Sequence, residues 1–94
     1  MKLWIDDVRP APQGYEWVKS VNRAKVLIKT KSIEIIDIDH DAGNFVLQGG
    51  DYIKLLDWME QENINDIPIH IHSMNSVGKE NMRRIIQHNG WIEV

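Results

Sequence analysis

The stretch Ile33–Asp39, which reads Ile-Glu-Ile-Ile-Asp-Ile-Asp, decides the fold of this chain. It is rich in β-branched residues and closes on an acid, and this pattern predicts a β-strand with a polar carboxyl end. Two other stretches are predicted strands: Lys2–Asp6, a short apolar run stopped by acids, and Ile67–His72, which Pro68 opens and a histidine closes. We therefore expect three short strands, each of which ends in polar residues.

The segments between these strands have the apolar spacing of helices. Ser20 or Asn22 is placed to cap a helix over residues 21–29. The remaining predicted elements are two helices, capped by Asp51 and by Ser76, and two strands, Tyr15–Lys19 and Trp91–Val94. The element order β-β-α-β-α-β-α-β predicts an α/β fold with a mainly parallel sheet.

The composition describes one globular domain over residues 1–94. With 43% hydrophobic and 27% charged residues, the chain can bury a single modest core. No apolar run reaches the length of a membrane span, and Asp6 and Asp7 interrupt the N-terminus where a signal peptide would stay apolar, so we expect a cytoplasmic protein. Zero cysteines exclude thiolate zinc sites, and the net charge of -3 argues against long DNA as a partner.

The polar strand ends resemble the acidic site of response-regulator receiver domains. Asp6-Asp7 stands where receivers carry an acidic pair, Asp39 where they carry the phosphoacceptor aspartate, and Ser73 where they carry a hydroxyl that contacts phosphate. The motifs WIDDVRP, DHDxG, GGD and HIHSMN are together similar to a divergent group described as cyclic-phosphate-processing receiver domains. The resemblance covers nearly the whole chain and implies a receiver fold with an activity on cyclic phosphates.

The chain also departs from the receiver pattern. No helix separates the first two strands, none follows the fifth, and the lysine that closes the fifth strand in receivers is absent. With the receiver strand order 2-1-3-4-5 and right-handed crossovers, the three remaining helices lie on one face of a five-stranded sheet. The first and last receiver helices are missing, so the other face is expected to be bare.

Strand alternation agrees with a helix-free face. The residues predicted to face the helices are apolar: Leu3, Ile5, Val18, Ile36, Ile38, Ile69, Ile71, Ile92 and Val94. The alternate set is largely polar or aromatic: Trp4, Asp6, Tyr15, Trp17, Lys19, Ile35, Asp37, Asp39, His70, His72, Trp91 and Glu93. We predict a two-layer sandwich whose second face is exposed or forms the contact surface of a homodimer.

Carboxylates at the ends of strands one and three indicate a site for a divalent metal. Ligands of open parallel sheets bind beyond the carboxyl ends of the strands, where Asp6, Asp7 and Asp39 converge. Oxygen donors suit Mg²⁺ or Mn²⁺, and without an ion at least one of these carboxyls is expected to have a raised pKa. The alternative is that Asp6 and Asp7 cap a turn and pair with Arg9.

The histidines of strand four are candidates for proton transfer. His70 and His72 lie two residues apart, so both project from the same face, and imidazoles titrate near neutral pH. They could serve as acid and base beside Asp39, or bind zinc together with it. For His70 the alternative is a structural hydrogen bond to Asp37.

Candidate substrate contacts surround the same edge of the sheet. Arg9, Ser73 and Asn75 could hold phosphate oxygens, and His40 faces either the site or solvent. Trp4 could stack a nucleobase, with packing as the alternative role.

Two functions follow as hypotheses. The first is a small metal-assisted phosphoesterase, such as a cyclic-phosphate phosphodiesterase, that acts on a cyclic or terminal phosphate of a nucleotide or an RNA end. The second is a non-catalytic module that binds a nucleotide or a protein through the Trp, His and Asp side chains of the exposed sheet face. A phosphoacceptor switch at Asp39 is disfavoured by the missing lysine.

Overall fold

The computed structural model describes residues 1–94 as a parallel sheet packed against three helices. The strands are β1 (Lys2–Ile5), β2 (Tyr15–Val18), β3 (Ile35–Ile38) and β4 (Ile69–Ile71), and the helices are α1 (Val21–Thr30), α2 (Ile53–Gln61) and α3 (Ser76–His88). The order across the sheet is β2-β1-β3-β4, and every neighbouring pair is parallel. This confirms the α/β class and the expected order of the first four strands. None of the helices has the length and apolar character needed to cross a bilayer.

The prediction of a fifth strand is wrong. Residues 91–94 run beside β4 but form only an isolated bridge, between Ile69 and Glu93. Two backbone hydrogen bonds of 2.9 Å hold this contact, from Ile69 N to Ile92 O and from Val94 N to Ile69 O. Since a single residue of β4 makes both bonds, the segment does not continue as a ladder.

One apolar core lies between the sheet and the helices. The core-facing strand residues are at most 2% exposed: Leu3, Ile5, Val18, Ile36, Ile38, Ile69 and Ile71. Buried residues of all three helices join them in the same cluster of 19 residues. Each fully buried large apolar side chain contributes about 1.5–3 kcal/mol, so this layer is the main source of stability. The predicted alternation is confirmed for the first four strands.

The alternation predicted for the C-terminal segment is wrong. Trp91 is 7% exposed and belongs to the core, while Glu93 accepts a hydrogen bond from Arg83 of α3, so both residues face the helices. Ile92 and Val94, predicted to be buried, are 62% and 56% exposed. An indole ring buries more apolar area than a single Ile or Val side chain, which favours turning the tryptophan inward.

The second face of the sheet carries no helix but is only partly exposed. The strand register places Trp17, Trp4, Asp37 and His70 in one row across the sheet. Trp17 is 37% exposed, whereas Trp4 and Asp37 in the middle of the row are half-buried. Their shielding comes from side chains of this same face, and these contacts form part of the site described below.

The helix caps tie the connecting loops to the carboxyl end of the sheet. Ser20 caps α1, as predicted. Asp51 does not cap α2, since its carboxylate accepts a backbone N–H of the preceding loop at 3.0 Å. Asn75 rather than Ser76 caps α3, because its Oδ1 accepts the N–H of Gly78 at 2.9 Å. These contacts order the loops that follow β3 and β4.

Candidate functional site

Asp6 follows β1 and is the most enclosed polar residue at the carboxyl end of the sheet, with 0% exposure. Its Oδ1 accepts the backbone N–H groups of Val8 and Arg9, both at 2.9 Å, and these bonds form the turn after the strand. Its Oδ2 lies 2.9 Å from Arg9 Nε and 2.9 Å from His72 Nε2. A carboxylate offers about four lone-pair directions, so the acceptor capacity of Asp6 is fully used.

The pKa of Asp6 is held below its ordinary value. Burial by itself raises the pKa of this carboxyl, but the N–H groups of Arg9 and Val8, the His72 side chain and the positive charge of Arg9 more than offset that effect. Asp6 is therefore not a carboxyl with the raised pKa that we expected of at least one strand-end acid. The carboxyl is ionised at neutral pH because its neighbours supply hydrogen bonds and opposite charge.

The side chain of Arg9 bridges two strand-end carboxylates. Its Nε lies 2.9 Å from Asp6 Oδ2, and its Nη2 lies 3.3 Å from Asp39 Oδ2. The Arg9 side chain is 43% exposed, whereas those of Asp6 and Asp39 are 0% and 12% exposed. The guanidinium thus covers the carboxylates from the solvent side. The alternative in which the acid caps a turn and pairs with Arg9 describes Asp6 correctly.

His72 is held by two carboxylates and an indole ring. Its Nδ1 lies 2.6 Å from Asp37 Oδ1, and its Nε2 lies 2.9 Å from Asp6 Oδ2. The ring stacks on Trp4 with a centroid separation of 3.9 Å and an interplanar angle of 2°. Each ring nitrogen therefore faces a carboxylate oxygen. The partner of Asp37 is therefore His72 and not His70, the alternative considered from the sequence.

Asp39 and His40 follow β3, and the His40 ring lies beside Gly78 in the first turn of α3. Asp39 Oδ1 accepts the N–H of His40 at 2.8 Å, which leaves Oδ2 facing Arg9. The His40 side chain is 16% exposed, and its Nδ1 lies 2.8 Å from Asp41 Oδ1. A Cβ at Gly78 would come within 2.5 Å of the His40 ring. The imidazole therefore faces the protein, in a space that the glycine leaves open.

Asp7 is separate from the other strand-end acids. Its carboxylate lies against Gly43 in the loop after β3, where a Cβ would overlap it. The residues whose ligand atoms lie within 4.8 Å of one another are Asp6, Asp39 and His72. In this group His72 takes the place that the sequence reasoning assigned to Asp7.

Ser73 and Asn75 order the turn between β4 and α3. Ser73 Oγ accepts the N–H of Asn75 at 3.0 Å, and Asn75 in turn caps the helix. The hydroxyl proton of Ser73 and the amide Nδ2 of Asn75 stay available as donors. Both residues are therefore compatible with the predicted contact to phosphate oxygens.

Trp4 and His70 have local partners on the helix-free face. Trp4 donates its Nε1–H to Arg9 O at 2.8 Å and stacks on the His72 ring, and both contacts fit the packing role given as its alternative. His70 is exposed, and its Nδ1 lies 2.7 Å from Val94 O. It does not join the group formed by Asp6, Asp39 and His72.

The sequence model of one protein family, described as the cyclic-phosphate processing receiver domain, matches residues 1–88. The chain belongs to this family. No curated protein and no solved structure matches the chain. The resemblance drawn from the strand-end motifs is confirmed, and the parallel sheet with its three helices fits a receiver-like fold.

The donor atoms of Asp6, Asp39 and His72 in this receiver domain fit a divalent cation if one present contact of Asp6 is released. Two carboxylates and an imidazole lie within reach of one ion, and Mg²⁺ or Mn²⁺ accepts such donors. Because the acceptor capacity of Asp6 is full, binding there requires that one side-chain contact be released. The Arg9 side chain lies between Asp6 and Asp39, where such an ion would bind.

Two residues near the site, Asp37 and Tyr52, were not among the predicted site residues. Asp37 holds Nδ1 of His72, and strand alternation, which placed both on one face, was the available signal. Tyr52 is fully buried and donates its hydroxyl to Lys19 O at 2.8 Å. Its burial and then the negative charge of Asp7 raise its pKa, so the hydroxyl stays protonated. Nothing in its local sequence indicates its place beside the acids.

Proposed function

We propose that this receiver domain is a small metal-assisted phosphoesterase that opens a cyclic phosphate, or removes a terminal one, on a nucleotide or an RNA end. The observation that carries the proposal is the convergence of Asp6, Asp39 and His72, with Asp37 behind the imidazole. Acids beside an oriented histidine suit phosphoester hydrolysis, which needs charge stabilisation and proton transfer. The family description, which names cyclic-phosphate processing, agrees with this chemistry.

The proposed roles divide between charge and protons. An ion held by Asp6 and Asp39 would supply Lewis-acid polarisation of a phosphoryl oxygen. Arg9 has a planar fork of donors that matches two phosphate oxygens, and Ser73 and Asn75 add neutral donors from the turn before α3. Each of these residues lies in a loop that follows a strand, which is where ligands of open parallel sheets bind.

His72 is the proposed proton donor. In the hydrolysis a water oxygen forms a bond to phosphorus, one phosphorus–oxygen ester bond breaks, and the leaving oxygen takes the Nε2 proton of His72. The Asp39 carboxylate accepts the proton that the water loses. The Nδ1 proton stays on the His72 ring and is donated to Asp37 in a hydrogen bond, which keeps the ring oriented. His70, on the same face, is the second candidate for proton transfer.

Turnover of defined phosphodiesters tests this proposal. The purified protein with Mg²⁺ or Mn²⁺ is incubated with cyclic mononucleotides and with oligoribonucleotides that end in a 2′,3′-cyclic phosphate, and the products are resolved by phosphorus NMR. We expect phosphomonoester products that disappear when the metal is chelated. Asp39→Asn and His72→Gln should each lower kcat by about 10²-fold or more.

A matched control separates catalysis from general charge effects. His88 is an exposed histidine in the last turn of α3, and His88→Gln should leave turnover unchanged. The same assay with a nucleoside monophosphate and a 3′-phosphorylated oligoribonucleotide tests terminal phosphates. The proposal is contradicted if none of these cyclic or terminal phosphates is hydrolysed with either metal, or if His72→Gln matches the wild type.

The partly exposed sheet face favours a second candidate function. Trp17, Ile92 and Val94 are 37%, 62% and 56% exposed on the side that lacks helices. We propose as the alternative that this face binds a nucleotide, a protein or a second copy of the chain without chemistry, in the cytoplasm that the sequence predicts. Calorimetry with the ligand recovered unchanged, together with sedimentation of the protein alone, tests it. Trp17→Ala should weaken the association, and unchanged affinity and oligomeric state would exclude this face.

A further inference from the structure

Arg9 contacts the same carboxylate oxygens that a divalent cation would use. Its Nε lies 2.9 Å from Asp6 Oδ2, and its Nη2 lies 3.3 Å from Asp39 Oδ2. We infer that Arg9 is an internal competitor of the metal and that metal binding transfers its guanidinium to the phosphate of the substrate. The inference rests on the proposed function and describes how that same site is regulated.

Asp6 cannot ligate a cation without losing a hydrogen-bond partner. Its Oδ1 accepts two backbone N–H groups, and its Oδ2 accepts Arg9 Nε and His72 Nε2, all at 2.9 Å. These four contacts match the number of lone-pair directions of a carboxylate. Asp39 differs, because its Oδ2 has only the longer contact to Arg9. The competition between the Arg9 guanidinium and the cation therefore depends mainly on Asp6.

Of the four partners of Asp6, the Arg9 side chain is the one that can leave. The two backbone N–H groups belong to the turn after β1, and their loss would undo it. His72 is anchored by Asp37 at 2.6 Å and by the stacked Trp4 ring at 3.9 Å. The Arg9 side chain is 43% exposed, and its ion pairs with the two acids are the polar contacts of its guanidinium.

The Arg9 backbone stays beside the site when the side chain moves. Its N–H donates to Asp6 Oδ1 at 2.9 Å, and its carbonyl accepts Trp4 Nε1–H at 2.8 Å. The released guanidinium is therefore tethered within reach of a phosphate bound at the ion. Guanidinium groups bind phosphate oxygens through two parallel hydrogen bonds. The substrate phosphate would therefore replace the carboxylates that Arg9 leaves. Metal and phosphate then bind cooperatively, and each raises the affinity for the other by the same factor.

Titration with Mn²⁺ alone tests the competition. Arg9→Gln should bind Mn²⁺ at least about fivefold more tightly than the wild type, the factor expected when an ion pair with a buried carboxylate is removed. Arg9→Lys, which keeps the charge but loses the fork, should fall between them. Arg84→Gln is the matched control, because Arg84 is an exposed arginine of α3 without an ion pair, and it should stay within about twofold of the wild type.

Two further measurements complete the test. In the presence of Mg²⁺, Arg9→Gln should bind inorganic phosphate more weakly than the wild type, although it binds the metal more tightly. In the wild type, Mg²⁺ should shift the Nε–H resonance of Arg9 in nitrogen NMR, and this readout does not depend on how well the variant folds. Mn²⁺ affinity of Arg9→Gln no higher than that of Arg84→Gln overturns the inference, as does an unmoved Nε–H resonance while Mg²⁺ binds. Absence of Mn²⁺ binding by the wild type and by Arg9→Gln overturns the proposed metal site itself.

Discussion

The substitution Asp6→Asn tests whether hydrogen bonds or repulsion between acids have the larger effect on stability at the carboxyl end of the sheet. Asparagine keeps Oδ1 and with it the bonds from the backbone N–H groups of Val8 and Arg9. It places an amide NH₂ where Oδ2 lies 2.9 Å from both Arg9 Nε and His72 Nε2. The new amide and the Arg9 Nε–H, both donors, would then face each other without an acceptor, in a position that is 0% exposed in the wild type.

The expected loss of stability is large for a small domain. A hydrogen bond to a charged group contributes about 1.5–3 kcal/mol, and breaking a buried ion pair costs about 3–5 kcal/mol. Because the Arg9 side chain is 43% exposed, solvent screens its share, and we expect a loss of about 3 kcal/mol. This corresponds to a decrease in Tm of about 12–24 °C for a domain of this size.

Urea unfolding at neutral pH, followed by tryptophan fluorescence and circular dichroism, measures this loss. Asp66→Asn is the matched control, since Asp66 is exposed and has no ion pair, and it should change the free energy of unfolding by less than about 0.5 kcal/mol. If Asp6→Asn is as stable as Asp66→Asn, or more stable than the wild type, repulsion among the acids dominates. That result would refute the explanation given for the lowered pKa of Asp6.

Three further predictions follow from the same contacts. Since the folded-state pKa of Asp6 is lowered, its contribution to stability is complete above about pH 4 and is lost as the pH falls toward the folded-state value. Urea unfolding should therefore show a larger acid-side loss in the wild type than in Asp6→Asn, where Glu93, whose pKa is lowered by its hydrogen bond with Arg83, still contributes. Parallel pH profiles would contradict this. Gly78→Ala should destabilise the protein by about 1–3 kcal/mol, because a Cβ would meet the His40 ring at 2.5 Å, and the cost should vanish in a His40→Ala background. Additive effects in that double-mutant cycle would exclude the contact. Gly43→Ala should lower the unfolding free energy by about 1–2 kcal/mol, because residue 43 has a φ of +53° and the new Cβ would displace the Asp7 carboxylate. An unchanged Tm would show that the loop adapts without strain.

Much of the fold could be predicted because its signals are local. Alternation of apolar and polar residues identified the core-facing sides of Leu3, Ile36 and Ile69, and this periodicity depends only on the strand backbone. For the C-terminal segment, residues 91–94, the same alternation predicted the wrong buried side. One bridge holds this segment, so backbone pairing is too weak to fix which way its side chains point. The burial of Trp91 fixed their direction instead.

The residues of the site could be predicted better than their contacts. Asp6, Asp39 and His72 were expected at one edge because parallel strands end side by side. That His72 and not His70 is the partner of Asp37 could not be predicted from the sequence. His70 lies directly opposite Asp37 in the register, yet it is His72 whose ring leans back over Trp4 and reaches the carboxylate.

The sequence by itself determined which chemical groups stand at the strand ends, how many helices cover the sheet and which side of each main strand is buried. These properties follow from residue type and from a period of two along a strand. The tertiary structure alone decided that Asp7 leaves the cluster, that His72 and not His70 joins it, and that Arg9 spans the two remaining acids. The direction of a turn and the rotamer of a side chain are set by the neighbours that folding brings within about 3 Å, and those neighbours lie far apart along the chain.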